Sequence, residues 1–507
     1  MLIESFGWKS GVNSKISVAE NGWIYLMTYT SNQYATSEGN NGFLKILVSY
    51  DEGKKYDLLI QWDYVHVTEK LVDADLVITG KDANDIRIWI ITAKRKTPTG
   101  TISVRLASFD SKGDRITQKV QEITEGKDID VYSVAVATDY RSPGKDSEPY
   151  TVAAAYTCQY TNSSMLPFVK HNYVGYFYTL NGDGSIEHKF VYDGSKDEKI
   201  TDVDISLGTS MFIPEGRVAI AALKEKGFTK EVILLMDRYH FPSATVPLDK
   251  PIATLGIGKN LTNPKVQMIC DNALDTKNTH AFAITATEPD KPIVTYLWYP
   301  KAEFDLDNPY DKDNIGEISI PGISELSLAY DKKAHNFLFT YYNNKPNRLE
   351  YTVTNWSNLS DWEKYIQIGY YHIPGSKAIN TSLDINPTKT QAGFTWTEVS
   401  VGSPLEINYY SILADYEWAT TTDIDNTQAD KQGLIVVSNP AEGEISLRVN
   451  RADNYTAALY DLQGKLAKTF SFNGSNHTFS VQDLTTGVYL LKLVSGNGSY
   501  QTKLMVD

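Results

Sequence analysis

Short runs of alternating apolar and polar residues recur along the first 420 or so residues and predict β-strands rather than helices. In each repeat, one such strand ends in a small residue or Thr followed by a polar group, as in Trp23–Thr30 and Arg87–Lys94. Equivalent strands cover 152–157, 218–224, 281–287, 337–342 and 392–397. Their anchor residues at positions 28, 92, 155, 222, 285, 340 and 395 lie 55 to 67 residues apart. A near-constant period of this size fits four strands and their turns.

The other strands of each repeat keep the same alternation. An apolar strand precedes the anchor strand, for example over 74–79 and 202–207. Two further strands follow, and they are joined by tight turns such as Asp51–Gly53 and Asp110–Gly113, where Gly supplies the positive φ that a hairpin needs. Four antiparallel strands repeated seven times predict an all-β chain with a seven-bladed β-propeller over residues 1–423. The alternative is an irregular pair of β-sandwiches, and the even spacing counts against it.

Composition limits the classes of function. The 33 Tyr favour strands, and 42% hydrophobic with 22% charged residues is ordinary for a folded protein. The formal net charge of −14 argues against nucleic acid as a partner, because binding phosphates needs clustered Lys and Arg. No apolar run reaches the roughly 18 residues that a transmembrane segment requires. Cys158 and Cys270 are interpreted as small buried residues, with a disulfide between them as the alternative.

The repeat pattern stops in an acidic, linker-like stretch at 424–432. Seven short strands then follow, at 434–437, 444–449, 455–461, 466–472, 477–481, 488–494 and 500–506. Turn residues such as Asn473-Gly474 separate them. This pattern predicts a small Ig-like β-sandwich over residues 433–507.

Two of the hairpin turns resemble the Asp-box of sialidase-type propellers. The segment 49–56, SYDEGKKY, follows the pattern Ser-x-Asp-x-Gly-x-x-Trp with Tyr56 in the Trp position. The segment 108–113, SFDSKG, is a version one residue longer. The resemblance implies a sialidase-like propeller in which the Asp carboxylate ties down the turn through backbone N–H groups and takes no part in catalysis.

Four segments of the C-terminal module resemble, in order, the C-terminal sorting domain of cargo for the type IX secretion system of Bacteroidetes-type bacteria. They are VSNP at 437–440, ALYDLQGK at 458–465, LTTGVYL at 484–490 and KLMV at 503–506. The residues that carry the resemblance are Asn439, Pro440, Asp461, Gly464, Lys465, Gly487, Tyr489 and Lys503.

The resemblance implies handling by the type IX machinery, passage across the outer membrane, removal of this domain, and a secreted or outer-membrane-associated location at the cell surface. Asp507 departs from the family pattern, since basic residues are common at that end. For an exported protein we expect a cleaved leader ahead of Met1. The alternative is an ordinary Ig-like accessory module.

Sequence motifs for catalysis are mostly missing. There is no His-Glu-x-x-His helix, no Gly-x-Ser-x-Gly elbow and no phosphate loop. The Phe/Tyr-Arg-Ile-Pro motif of sialidases is also missing, and Phe212–Arg217 does not replace it. We therefore expect no cofactor except, as one interpretation, Ca²⁺ bound by the oxygen-rich stretch that contains Asp305, Asp307, Asp311 and Asp313. The other interpretation of that stretch is a solvated acidic loop.

Propeller connectivity indicates where a ligand would bind. The loops after each second strand share a face with the blade-to-blade connections, and the Asp-box turns lie on the opposite face. On the first face, aromatic rings accompany amides and carboxylates, which suits stacking on sugar rings or anchoring a protein partner. We predict the ligand-binding residues to be Tyr29, Arg95, Tyr156, Glu225, Glu288, Tyr341, Asn343, Trp396 and Glu398.

The sequence leaves three functions open. The first is an exported protein that binds glycan, or a host or envelope protein, without catalysis. The second is a glycoside hydrolase or lyase with Glu288 and Glu398 as an acid/base pair, which requires carboxyl groups about 5–5.5 Å apart for retention or about 6.5–9.5 Å for inversion. The third is a structural or assembly role in the cell envelope.

Overall fold

The computed structural model confirms the predicted all-β class, because every regular element in the residues it describes is a strand. It describes residues 2–5, 12–30, 42–51, 53, 55–64, 69–96, 102–116, 121–123, 129–138, 151–162, 169–179, 186–195, 197–210, 213–238, 251, 253–269, 281–288, 293–298, 315–320, 323–331, 336–343, 348–355, 367–372, 376–386, 391–400, 407–415, 434–437, 443–461, 465–496 and 498–506. The chain divides into two compact units, Met1–Tyr416 and Glu417–Asp507. The predicted linker at 424–432 lies outside the described residues.

The first unit contains, in its described part, seven four-stranded antiparallel sheets, here called blades 1 to 7. The N-terminal strand is β1 (Leu2–Ser5). Blade 1 contains β2 (Val12–Val18), β3 (Ile24–Thr30), β4 (Gly42–Ser49) and β5 (Asp57–Tyr64). Blade 2 contains β6 (Glu69–Thr79), β7 (Arg87–Lys96), β8 (Ile102–Asp110) and β9 (Gln121–Ile123). Blade 3 contains β10 (Ile129–Thr138), β11 (Val152–Asn162), β12 (Val169–Thr179) and β13 (Ile186–Gly194).

Blades 4 to 7 repeat this order. Blade 4 contains β14 (Lys199–Ser210), β15 (Ile213–Lys226), β16 (Thr229–Arg238) and β17 (Ala253–Leu255). Blade 5 contains β18 (Thr262–Ile269), β19 (Ala281–Thr287), β20 (Ile293–Trp298) and β21 (Ile315–Ile320). Blade 6 contains β22 (Ile323–Asp331), β23 (Asn336–Asn343), β24 (Arg348–Asn355) and β25 (Gln367–His372). Blade 7 contains β26 (Ser376–Ile385), β27 (Gln391–Ser400) and β28 (Ile407–Asp415), and β1 completes it as the outer strand.

The blades form a closed ring. The first strand of each blade contacts the first strand of the next, and β26 of blade 7 contacts β2 of blade 1. Several hydrogen bonds cross this last seam, among them those from Ser17 Oγ to Asp384 Oδ2 at 2.9 Å and from Asn386 Nδ2 to the carbonyl oxygen of Ala19 at 3.1 Å. The N-terminal strand β1 precedes blade 1 in the chain and pairs with β28 of blade 7 by hydrogen bonds, so it ties the two ends of the propeller sequence together. Closure in this way protects the edges that an open array of strands would expose.

The hydrophobic cores lie between neighbouring blades. Ile46 of blade 1 belongs to one buried cluster with Ile88 of blade 2, and Tyr176 of blade 3 belongs to another with Ile220 of blade 4. Each such side chain contributes about 1.5–3 kcal/mol relative to its exposed state. Successive side chains of a strand face the two neighbouring blades, so Ile24–Tyr29 of β3 form a continuous buried run.

The C-terminal unit has five described strands where the sequence analysis predicted seven. They are β29 (Leu434–Val437), β30 (Glu444–Tyr460), β31 (Leu466–Ser480), β32 (Gly487–Ser495) and β33 (Gly498–Val506). The predicted strands 444–449 and 455–461 are the two halves of β30, and 466–472 and 477–481 are the halves of β31. The register between β30 and β31 is irregular from Arg448 to Asp453, but the pairing resumes beyond it, so neither strand ends there.

Candidate functional site

Charged residues alternate with apolar ones on the first strands of several blades, close to the propeller axis. Asp73 and Asp75 lie on β6, and Asp202 and Asp204 lie on β14. The other charged members of this inner set are Lys15 on β2, Lys265 on β18 and Asp384 on β26. The sequence analysis treated these segments only as strands. The signal that was missed is the Asp-x-Asp spacing, because residues two apart on a strand face the same side.

Four of the inner carboxylates link one blade to the next. Each accepts the backbone N–H of a Val on the first strand of the following blade: Asp73 from Val134 at 2.9 Å, Asp75 from Val136 at 3.0 Å, Asp204 from Val266 at 2.8 Å and Asp384 from Val18 at 2.8 Å. A buried N–H without a partner would be costly, so these bonds stabilise the blade seams.

Asp73 is the centre of a longer hydrogen-bond chain. The Tyr29 hydroxyl of blade 1 donates to Asp73 Oδ1 at 2.6 Å. On the other side of the carboxylate, Ser133 Oγ of blade 3 lies 3.1 Å from Asp73 Oδ2 and 3.0 Å from Asp202 Oδ1 of blade 4. The side chains of four consecutive blades are therefore connected.

Burial and charge act in opposite directions in this inner set. Lys15 Nζ lies 3.6 Å from Asp75 Oδ1 and Lys265 Nζ lies 3.9 Å from Asp204 Oδ1. Burial raises the pKa of Asp204, against the lowering effect of Lys265, and burial raises the pKa of Asp384 to about 6. Burial alone would lower the pKa of Lys15, but the carboxylates around it, Asp75 first, raise it above its usual range.

The four aromatic residues predicted to bind ligand are packed inside the propeller. Tyr29, Tyr156, Tyr341 and Trp396 are each at most 4% exposed. The Tyr156 ring covers Gly175, and its hydroxyl lies 2.6 Å from His188 Nε2. As placed, these rings offer no free face to a ligand, because the surrounding protein covers them.

The predicted polar residues have different surroundings. Glu225 Oε1 accepts hydrogen bonds from Lys230 Nζ at 2.5 Å and Thr201 Oγ1 at 3.0 Å. Burial acts to raise the pKa of Glu225, but these two donors outweigh it and hold the pKa below its usual value. Arg95 lies near the Tyr132 hydroxyl, where it partly offsets the rise in the pKa of Tyr132 caused by burial.

Of the predicted acid/base pair, the structure describes the side chain of Glu288 but not that of Glu398. Glu288 is buried, and its Oε1 accepts the backbone N–H of Asn260 at 3.3 Å. The side chains of Glu398 and Asn343 lie outside the described part of the structure. The pairing of Glu288 with Glu398 stays a prediction.

An exposed apolar pair lies on the face where ligand binding was predicted. Phe228 forms the tip of the hairpin between β15 and β16, the second and third strands of blade 4, and it is 101% exposed. Ile257 lies in the connection from blade 4 to blade 5 and is 76% exposed. The turn requires Gly227, whose φ is +61°. The sequence analysis did not single out Phe228.

Backbone hydrogen bonds hold these two loops together. The Lys230 N–H donates to the carbonyl of Lys259 at 3.0 Å, and the Leu261 N–H donates to the carbonyl of Lys230 at 2.9 Å. Gly258 N–H also approaches Glu231 Oε1 at 3.2 Å. Phe228 and Ile257 are therefore presented by one connected support, which we call the blade 4 platform.

The Asp residues of both predicted Asp-box turns bind backbone N–H groups. Asp51 Oδ1 accepts the N–H of Lys55 and the hydroxyl of Ser49, both at 2.9 Å. Asp110 Oδ1 accepts the N–H groups of Lys112 and Asp114, both at 2.9 Å. Both carboxylates thus have the turn-fixing contacts that the resemblance implied.

Metal binding has no support in the described residues, where no group of three or more His, Cys, Asp or Glu is arranged to hold an ion. The predicted calcium ligands Asp305, Asp307, Asp311 and Asp313 lie outside those residues. Cys158 is buried, which raises the pKa of its thiol to about 12, and Cys270 also lies outside the described part. None of the described residues forms a helix long and apolar enough to cross a membrane.

The C-terminal residues that carry the sorting resemblance have mainly structural contacts. The Tyr489 side chain is buried, and its hydroxyl donates to the carbonyl of Thr485 at 2.7 Å. Asp461 Oδ1 accepts the N–H of Lys465 at 2.8 Å. Gly487 and Lys503 lie on the paired strands β32 and β33, while Asn439, Pro440 and Gly464 lie outside the described residues.

Comparison with solved structures gives distant likenesses. The α-L-arabinofuranosidase Arb93A of Fusarium graminearum has 8% identity and a TM-score of 0.38, with 82% of this chain and 98% of that one covered. A six-bladed fungal lectin of Aleuria aurantia has 10% identity and a TM-score of 0.36, with 72% and 96% covered. A Hadza microbial sialidase has 8% identity and a TM-score of 0.38, with 80% and 68% covered.

Sequence comparison identifies the C-terminal region. No curated protein matches the chain. Residues 438–507 match the family of secretion system C-terminal sorting domains. This range contains nearly all of the segments on which the predicted resemblance rests, and it includes four of the five described strands of the C-terminal unit, β30 to β33. The chain therefore carries a C-terminal sorting domain behind a β-propeller, and it is an exported protein.

Proposed function

We propose that this protein is a non-catalytic binding protein of the cell surface, and that its propeller recognises glycan through the blade 4 platform. Delivery by the type IX machinery, followed by removal of the C-terminal domain, would leave the propeller outside the cell. The observation that carries the proposal is the exposure of Phe228 and Ile257 on the predicted binding face.

The full exposure of Phe228 supports a role in binding a ligand. A side chain as large as Phe gains about 1.5–3 kcal/mol when it is buried, so full exposure at a fixed hairpin tip contributes nothing to the fold. The apolar ring presents both of its faces to solvent. Aromatic faces of this kind stack on the C–H surfaces of sugar rings.

Charged side chains on and beside the hairpin of the blade 4 platform could form hydrogen bonds with the hydroxyl groups of a bound sugar. Lys226 is exposed on the same hairpin, with Nζ 3.6 Å from Glu198 Oε1. Lys224 lies 3.6 Å from Glu231 Oε2, and Lys230 pairs with Glu225. Carboxylates already fixed by ammonium groups are suited to accept hydroxyl hydrogen bonds, because little side-chain entropy is left to lose on binding.

The test measures binding of the folded propeller to a panel of immobilised neutral and acidic oligosaccharides. Phe228→Ala is compared with Leu58→Ala, which removes a large exposed side chain from the outer strand β5. We expect Phe228→Ala to lose binding at least tenfold and Leu58→Ala to bind like the wild type. Binding that is unchanged in Phe228→Ala, or a wild-type protein that binds a surface protein and no glycan, would overturn the proposal.

A further inference from the structure

Ser133 on β10 lies between two carboxylates that come from different blades. Its Oγ is 3.1 Å from Asp73 Oδ2 and 3.0 Å from Asp202 Oδ1, so both separations are hydrogen-bond lengths. A serine hydroxyl has a single proton and donates one full hydrogen bond. The second contact is attractive only if the other carboxyl group supplies a proton of its own.

The donors around the two carboxyl groups distinguish them. Asp73 Oδ1 already accepts the Tyr29 hydroxyl at 2.6 Å and its neighbour's N–H, that of Ala74, at 2.9 Å. Asp73 Oδ2 accepts the Val134 N–H at 2.9 Å. Three donors in addition to Ser133 favour the ionised form of Asp73. Among the described contacts, Asp202 receives only the Val203 N–H at 2.9 Å besides Ser133, and a hydroxyl oxygen still accepts that bond.

We propose that Asp202 is a protonated carboxylic acid at neutral pH that donates to Ser133 Oγ, while Ser133 donates to ionised Asp73. The two carboxyl groups then share one negative charge instead of holding two. The hydrogen-bond chain runs from Asp202 through Ser133 to Asp73, and Tyr29 donates to Asp73 from the other side. It connects the side chains of blades 1 to 4. The site makes this part of the propeller sensitive to pH, independently of the glycan-binding proposal.

The surrounding charges are compatible with this assignment. Asp202 is faced by Asp73 from β6, by Lys15 from β2 and by Lys265 from β18. Asp204 lies on its own strand, and Asp75 of β6 faces Asp204. Four carboxyl groups thus share two ammonium groups, which leaves an excess of negative charge that one bound proton reduces. Burial raises the pKa of Asp202, and Asp73 adds to the rise, while Lys265 opposes it.

The sign of the pH effect follows from proton binding. An Asp in the unfolded chain loses its proton near pH 3.9. If folded Asp202 keeps the proton to higher pH, the folded state binds one more proton across that interval, and stability falls as pH rises. The unfolding constant of the wild type should therefore increase up to tenfold per pH unit relative to Asp202→Asn, which has no proton to lose.

The direct test is infrared difference spectroscopy of the full chain labelled with ¹³C-aspartate at pH 7. A carboxylic acid C=O band is expected in the wild type. It should be weaker by one carboxyl group in Asp202→Asn and unchanged in Asp204→Asn, the matched change two residues along β14. Chemical denaturation from pH 5 to pH 7 measures the unfolding constants of the wild type and Asp202→Asn. A band that is absent from the wild type, or that is equally strong in Asp202→Asn, overturns the proposal, and so does a constant ratio of the two unfolding constants.

Discussion

The contact between Tyr156 and Gly175 allows a direct test of whether the Tyr156 ring is buried inside the propeller. A Cβ atom added at Gly175 would lie 2.5 Å from the Tyr156 hydroxyl oxygen and 2.6 Å from Cζ. The ring is held in place, because it packs against Phe177 with 5.5 Å between ring centroids and its hydroxyl lies 2.6 Å from His188 Nε2. Gly175→Ala must therefore displace the ring or the β12 backbone.

The expected cost has two parts. Overpacking a filled core costs about 1–3 kcal/mol. Displacement of the hydroxyl from His188 adds about 1 kcal/mol, the net value of an ordinary hydrogen bond. Gly175→Ala should thus lower the free energy of unfolding by about 2–4 kcal/mol. Urea denaturation followed by tryptophan fluorescence measures this as a shift in the midpoint.

A double-mutant cycle separates the ring contact from any effect on the strand itself. Tyr156→Ala alone should cost about 3–5 kcal/mol, as other large aromatic deletions do. In that background Gly175→Ala should cost less than about 0.5 kcal/mol, because the added methyl enters vacated space. The placement of Tyr156 would be refuted if Gly175→Ala were harmless in the wild type or equally damaging in both backgrounds.

Two further predictions concern His188 and the turn carboxylates. Burial lowers the pKa of His188 to about 4, so the unfolded chain binds the proton first and stability should fall as pH drops from about 6.5 to 4, by about 1–3 kcal/mol after allowance for its partial exposure. The same pH dependence in His188→Gln would contradict this. Asp51→Ala and Asp110→Ala should each cost about 1 kcal/mol through the lost turn hydrogen bonds, and unchanged denaturation midpoints in both would exclude that role.

The repeat could be predicted from sequence because it depends on local features. The apolar runs within 24–30 and 87–94 require only that the side chains of a strand face two buried sides. The turn at Asp51–Gly53 likewise depends on a carboxylate, a nearby N–H and one glycine with φ of +85°. Such features are complete within a few residues, so the sequence contains all the information needed to find them.

The candidate binding residues depended on where strands end, and the sequence does not mark that point. Tyr29 and Tyr156 were predicted near the ends of strands and Glu225 directly after one. The structure extends β11 to Asn162 and β15 to Lys226, so Tyr156 and Glu225 lie within strands. A strand continues for as long as its partner supplies hydrogen bonds, and burial of its last residues depends on the next blade. In contrast, Phe228 was recoverable in principle, since a large apolar residue directly after Gly227 at a hairpin tip has no core to enter.

The inner carboxylates show that contacts between neighbouring blades can depend on the side chains of one blade alone. The acceptors Asp75, Asp204 and Asp384 bind backbone N–H groups, which any sequence in the next blade supplies except proline. Neutral groups also link blades: between blades 6 and 7, Ser327 Oγ donates to the Thr381 carbonyl at 2.7 Å. Between blades 1 and 2, Ser17 Oγ accepts the Ile78 N–H at 3.2 Å beside the Lys15–Asp75 ion pair.

A blade seam therefore does not need an ionised residue, and the fold alone does not account for four Asp on blades 2 and 4. Each additional buried carboxylate costs desolvation energy unless a cation or a proton compensates it. Lys15 and Lys265 compensate two of the four. Ser133 lies between Asp73 and Asp202, where one shared proton would remove a third charge. Proton binding at Asp202 is thus the step that makes this concentration of carboxyl groups compatible with a stable ring.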